Sequence, residues 1–70
     1  MIVHVQKGMP TTEKVVNISS ALYAGNVVLG DARYLLGVYR DTGRTAEVLS
    51  EIKSLMHNRG SAFIYVMPEE

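Results

Sequence analysis

Apolar and polar residues alternate along the first six positions, "MIVHVQ". A period of two is that of a half-buried strand. It sets Met1, Val3 and Val5 on one face and Ile2, His4 and Gln6 on the other. "KGMP" ends the run, because Pro10 has no N–H for a ladder and Gly8 tolerates turn conformations. "EKVVNIS", Glu13 to Ser19, predicts a second short strand, half polar and therefore close to a sheet edge. In "ALYAGNVVLGDARYLLGVY", Gly25-Asn26 and Gly30-Asp31 are dipeptides that accept positive φ. They divide the segment into strands Leu22–Ala24, Val27–Leu29 and Arg33–Tyr39. Either dipeptide suits the tight hairpin, and each choice gives an antiparallel meander.

From Asp41 the period changes. Thr45, Val48, Leu49, Ile52, Leu55 and Met56 recur at spacings of three and four, the apolar face of an amphipathic helix. Arg44, Glu47, Ser50, Glu51, Ser54 and His57 take the opposite face. Asp41 is a strong N-cap; at the other end Gly60 suits a left-handed closing residue, and His57 and Arg59 complement the negative helix terminus. Ala62–Met67 predicts a last strand, closed by Pro68. The order strands, helix, strand predicts an α+β fold. Its mostly antiparallel sheet is a meander with one amphipathic helix on one face, and the C-terminal strand lies beside the first strand.

Composition narrows the class. At 70 residues the chain is a single domain, residues 1–70, and a core of that size supplies only about 3–5 kcal/mol of net stability. There is no cysteine, which excludes disulfides and thiolate metal sites and fits a cytoplasmic chain. The apolar fraction, 47%, is high for so small a domain and points to further apolar surface hidden in an oligomer, a dimer in the simplest case. Seven basic residues balance seven acidic ones, against the basic excess of nucleic-acid binders. That leaves Lys7, Lys14, Arg33 and Arg40 as scattered contacts at most. No apolar run approaches the roughly 20 residues of a membrane span, and Met1–Gln6 is too short for a secretory signal.

Candidate chemistry is sparse. "RDTGRT" places Arg40, Gly43 and Arg44 around a helix start, where free N–H groups attract anions. It lacks the Lys-Ser/Thr of a phosphate loop and the G-x-G-x-x-G of a dinucleotide loop, and Asp41 as cap competes for the same donors. His4 and His57 are too far apart in sequence for a local ligand pair, and no other ligand-type residue stands at a telling offset. No G-x-S-x-G elbow surrounds any serine. Asn17–Ser19 has the glycosylation pattern, which has no consequence without secretion. Glu47 and Glu51, one helical turn apart, read as a hydrated face. Tyr23, Tyr34, Tyr39 and Tyr65 all fall on predicted strands. With one helix, one side of the sheet is left for contact, and Ile2, Tyr34, Leu36, Val38 and Tyr65 are its candidate interface residues.

One segment carries a resemblance. Leu36, Gly37, Tyr39, Arg44, Glu47, Val48, Leu49, Glu51 and Ile52, followed by Met67 and Pro68, match an L-G-x-Y-x-T-x-x-R-A-x-E-V-L-x-E-I … M-P pattern. It is similar to that of short uncharacterised proteins of Gram-positive bacteria and their phages. The match runs from Leu36 onward. Asp41 stands where that group has Thr, an equivalent cap. Gly43 replaces a charged residue, weakening the first turn by about 1 kcal/mol. Thr45 replaces a small Ala on the buried face. The resemblance implies an accessory protein of phage or prophage origin and no cofactor, metal or catalytic residue. The functional expectation is a non-enzymatic, homodimeric protein-interaction module with a protein partner. The alternative is a small-anion or nucleotide binder around Arg40–Arg44.

Overall fold

The computed structural model describes residues 1–59 and 64–70. Its elements are β1 (Ile2–His4), β2 (Val15–Asn17), β3 (Ala21–Ala24), β4 (Val27–Gly30), β5 (Tyr34–Val38), α1 (Thr42–Arg59) and β6 (Ile64–Val66). The α+β class is as the periodicity predicts. Gly60 of the predicted helix stop, and Ala62 and Phe63 of the predicted last strand, lie outside the described residues.

The single predicted sheet is divided into two three-stranded sheets, ordered β2-β1-β6 and β3-β4-β5. In the first, β1 pairs antiparallel with β2 and parallel with β6, so the last strand does join the first. The parallel pairing is possible because the chain returns through a long crossover that includes α1. The second sheet is the predicted meander. Both turn signals are used. Ala24 pairs with Val27, leaving Gly25-Asn26 as a two-residue loop with Gly25 at φ +62°.

The second turn lies one residue later than predicted. Asp31 and Ala32 both take positive φ, 51° and 56°, and Arg33 N–H donates to Gly30 C=O at 3.0 Å. That is a type I′ geometry. Gly30 belongs to the strand for another reason: a Cβ there would stand 2.7 Å from Ile18 Cγ2 and 3.2 Å from Leu36 Cδ1. The glycine lets the end of β2 approach the meander.

Both sheets and the helix enclose one core. Val3, Val16 and Tyr65 enter from the first sheet, Val28 and Leu36 from the second, and Val48, Leu49 and Ile52 from α1. Each fully buried aliphatic side chain contributes about 1.5–3 kcal/mol. Asp41 caps α1 as predicted, its Oδ1 accepting from Arg44 N–H at 2.8 Å. Thr45, fully buried, satisfies its hydroxyl by donating to Asp41 C=O at 2.7 Å.

The joint between the sheets is Gln6. Its backbone N–H donates to Leu36 C=O at 2.9 Å. Its side-chain Oε1 accepts from Val38 N–H at 2.9 Å, and Nε2 donates to Val38 C=O at 3.2 Å. The amide thus pairs with β5 as a strand's peptide group would. Nε2 also lies 3.0 Å from the carbonyl oxygens of Pro68 and Glu69, which secures the segment after β6.

Candidate interaction surface

Strand alternation gives each sheet an inner and an outer face. In β3-β4-β5 the register groups Leu22 with Leu29 and Leu35, and Ala24 with Val27 and Val38. These six side chains form the outer face. None is charged or polar. Leu22 and Val38 keep 41% and 40% of their surface exposed, and Ala24 is exposed as well. Val27, Leu29 and Leu35 are half-buried. Isolated exposed apolar residues are ordinary, but a contiguous sheet face without one charged group is the composition of an interface centre.

The outer face of β2-β1-β6 is mixed. Its register sets Ile2 beside Ile64 and Asn17, and His4 beside Val66 and Val15. Two of its four apolar side chains lie on β6, an edge strand, where Ile64 is 52% and Val66 65% exposed. These are the two most exposed large hydrophobic residues described. Natural edge strands are usually blunted by charge, proline or a bulge. The other edge of this sheet, β2, follows Glu13 and Lys14, whereas β6 reads Ile-Tyr-Val.

The five predicted interface residues are dispersed by these registers. Ile2 is half-buried on the outer face of the first sheet, and Val38 is exposed on the outer face of the second. Leu36 is not a surface residue: it is fully buried in the core. A bulge explains this. Leu29 pairs with Leu35 and Val28 with Gly37, so Leu36 is an extra residue and the alternation linking Tyr34, Leu36 and Val38 is broken between Leu36 and Val38. Tyr34 is half-buried against the core, with the Arg33 guanidinium 4.7 Å above its ring. Tyr65 is also buried, because its partner across β1 is Val3 on the inner face rather than Ile2.

The predicted anion turn is already engaged. Arg44 stacks over Tyr39 at 5.8 Å and donates from Nε and Nη2 to Glu70 O at 3.2 and 2.9 Å. Its Nη1 approaches Glu47 at 3.5 Å. Among the described residues Arg40 reaches only Asp41, at 3.5 Å in solvent, and Gly43 lies in the exposed first turn beside the capping carboxylate. These contacts make the turn a clasp for the C-terminal segment. Tyr39 completes the clasp, its hydroxyl donating to Pro68 C=O at 2.9 Å. Burial pushes the Tyr39 phenol up to about 12, against an opposing pull from Arg44.

Two further polar groups went unforeseen. The Asp31 carboxylate accepts from the backbone N–H groups of Ser19 and Ser20, each at 2.9 Å, and these bonds hold its pKa below the ordinary 3.8. It ties the link between β2 and β3 to the second turn. Gly-Asp marks a turn, but nothing local identifies the distant amides it accepts from. The Tyr65 hydroxyl is buried without a hydrogen-bond partner among the described residues. Burial first, and the neighbouring Glu51 carboxylate next, raise its pKa, although no hydrogen bond closes between them.

His4 and His57 are both exposed, and no three His, Cys, Asp or Glu side chains gather as a metal site among the described residues. A concavity of about 630 Å³ runs along the outer side of α1, but all its lining residues, Gly43 to Leu55, come from that one helix. No helix among the described residues is long and apolar enough to cross a membrane. Compared with protein-family models, curated proteins and solved structures, the chain gives no match in any of the three.

Proposed function

We propose that this chain is a cytoplasmic, non-enzymatic protein-interaction module that works as a homodimer, one surface meeting a second copy and another docking a partner protein. The observation that carries the reading is the outer face of β3-β4-β5, six apolar side chains without a charge. A specific interface buries about 600–800 Å² on each partner, roughly one seventh to one fifth of the 4257 Å² that this chain exposes. The non-enzymatic reading is supported by the polar groups nearest the helix start. Gln6, Tyr39, Asp41 and Arg44 are all spent on holding backbone. The resemblance noted above adds an accessory role in a phage or prophage.

Dimerisation makes stability depend on protomer concentration, so the urea midpoint should rise over a hundredfold increase in protein. A midpoint independent of concentration would contradict the homodimer. For the docking face, a partner purified with the unaltered chain should be lost with Leu22→Lys and retained with Ser50→Lys on the outer side of α1. Loss with both, or with neither, would place docking elsewhere. Anion binding predicts instead a phosphate-dependent rise in melting temperature that Arg44→Ala removes.

A further inference from the structure

The edge of β6 shows how two copies would join. In the parallel β1–β6 ladder, alternate residues of β6 turn both backbone groups toward β1. Met67 N–H donates to His4 C=O at 3.0 Å, and the register sets His4 opposite Val66. That phase directs the N–H and C=O of Tyr65 toward β1. It directs those of Ile64 and Val66 away from β1, along the open edge. No backbone partner for either is present among the described residues.

This arrangement is self-complementary. A two-fold axis beside Tyr65 sets Ile64 of one copy opposite Val66 of the other, in antiparallel order. Opposed residues with outward backbone groups form the pairs that exchange both N–H···O=C bonds. Each half of the axis then receives such a reciprocal pair, and Tyr65 faces its own counterpart as the non-bonded pair between them. The same superposition brings the 52%- and 65%-exposed side chains of Ile64 and Val66 onto each other across the seam. β6 itself carries no charge, so the identical strands do not repel. We infer that the chain dimerises through antiparallel β6–β6 pairing centred on Tyr65, which fuses two three-stranded sheets into one of six strands.

A second copy is favoured over an unrelated strand because β6 matches itself in length, hydrogen-bond phase and apolar face; β2, the other edge of the sheet, has the same phase about Val16 but presents Asn17 beside Val15. The inference rests on the homodimer reading and names its surface. It also leaves the charge-free face of β3-β4-β5 open for a partner.

Val66→Pro separates the two ideas. The Val66 N–H points away from β1, so proline there spares the intramolecular ladder and removes a donor from the seam. Light scattering should show the variant as a monomer where the parent is a dimer, with association weakened by about tenfold or more and the circular dichroism of a folded monomer retained. Should Val66→Pro fail to fold, Ile64→Lys tests the same seam by setting a charged lysine directly against the apolar Val66 of the other copy, once on each side of the axis. Hydrogen exchange adds an independent readout: Ile64 and Val66 amides should slow in the dimer and exchange fast on dilution, while Tyr65 stays protected in both. A dimer that survives Val66→Pro or Ile64→Lys but is lost with Leu22→Lys overturns β6 pairing and keeps the homodimer. A parent chain that is monomeric throughout overturns both.

Discussion

Replacing Gln6 by Ala should be among the most damaging single changes in this chain. The side chain is only 5% exposed. It supplies the acceptor for Val38 N–H at 2.9 Å and a donor shared among the carbonyls of Val38, Pro68 and Glu69 at 3.2, 3.0 and 3.0 Å. Each lost intramolecular hydrogen bond costs about 1 kcal/mol net, and an orphaned N–H that water does not reach costs about 1–3 kcal/mol. Water can reach some of the released carbonyls, so the sum is about 3 kcal/mol. A domain of this length has only about 3–5 kcal/mol in total. Urea denaturation at one fixed protein concentration would measure the loss.

Gln6→Glu sharpens the test through pH. The new carboxyl would face the same three carbonyl oxygens, which favour its protonated form and raise its folded pKa above the unfolded value of about 4.3. A raised acid pKa means that the variant is most stable below about pH 4 and loses stability as pH rises through the folded pKa. The parent has no such term at this position. Two results would refute the assignment: Gln6→Ala within about 0.5 kcal/mol of the parent, the range of ordinary surface changes, or Gln6→Glu with the parent's pH profile.

Two backbone positions and one phenol give further checks. Gly30→Ala should destabilise by about 1–3 kcal/mol, since the new Cβ meets Ile18 Cγ2 at 2.7 Å, and Ala32→Gly should stabilise by about 1 kcal/mol by relieving the φ of +56°; paired urea melts decide both signs. Tyr39 has a folded pKa raised from 10.0 to about 12, so its contribution is complete below pH 10 and is lost as pH rises toward 12. Tyr39→Phe should flatten that alkaline loss, costing about 1 kcal/mol at neutral pH from the missing bond to Pro68, as followed by tyrosinate absorbance and melts together.

What could be read from the sequence was what local patterning controls. The spacing of Thr45, Val48, Leu49 and Ile52 defined the buried face of α1, and Asp41 its cap, because helix faces and caps are set within a few residues. The hairpin signals likewise found the meander. The division into two sheets depends on Gln6, whose partners at Val38 and Pro68 are distant in sequence; a glutamine after a β-branched run has no signature for such a role. The interface prediction failed at Leu36 because strict alternation carries no information about a bulge. It failed at Tyr65 because pairing register between β1 and β6 is a tertiary property. A short apolar strand does not disclose which parity faces the core, so alternation alone does not separate the buried Tyr65 from the exposed Ile64 and Val66. The arginines at Arg40 and Arg44 were visible as a motif, but the Glu70 oxygen that Arg44 holds was not.

The homodimer is the claim on which the rest depends, and the mass of the unaltered chain in solution tests it most directly. Light scattering on a dilution series should give twice the 7.7 kDa of one chain at high concentration, falling toward the single-chain mass on dilution. A mass of one chain at every concentration up to the millimolar range would contradict the account.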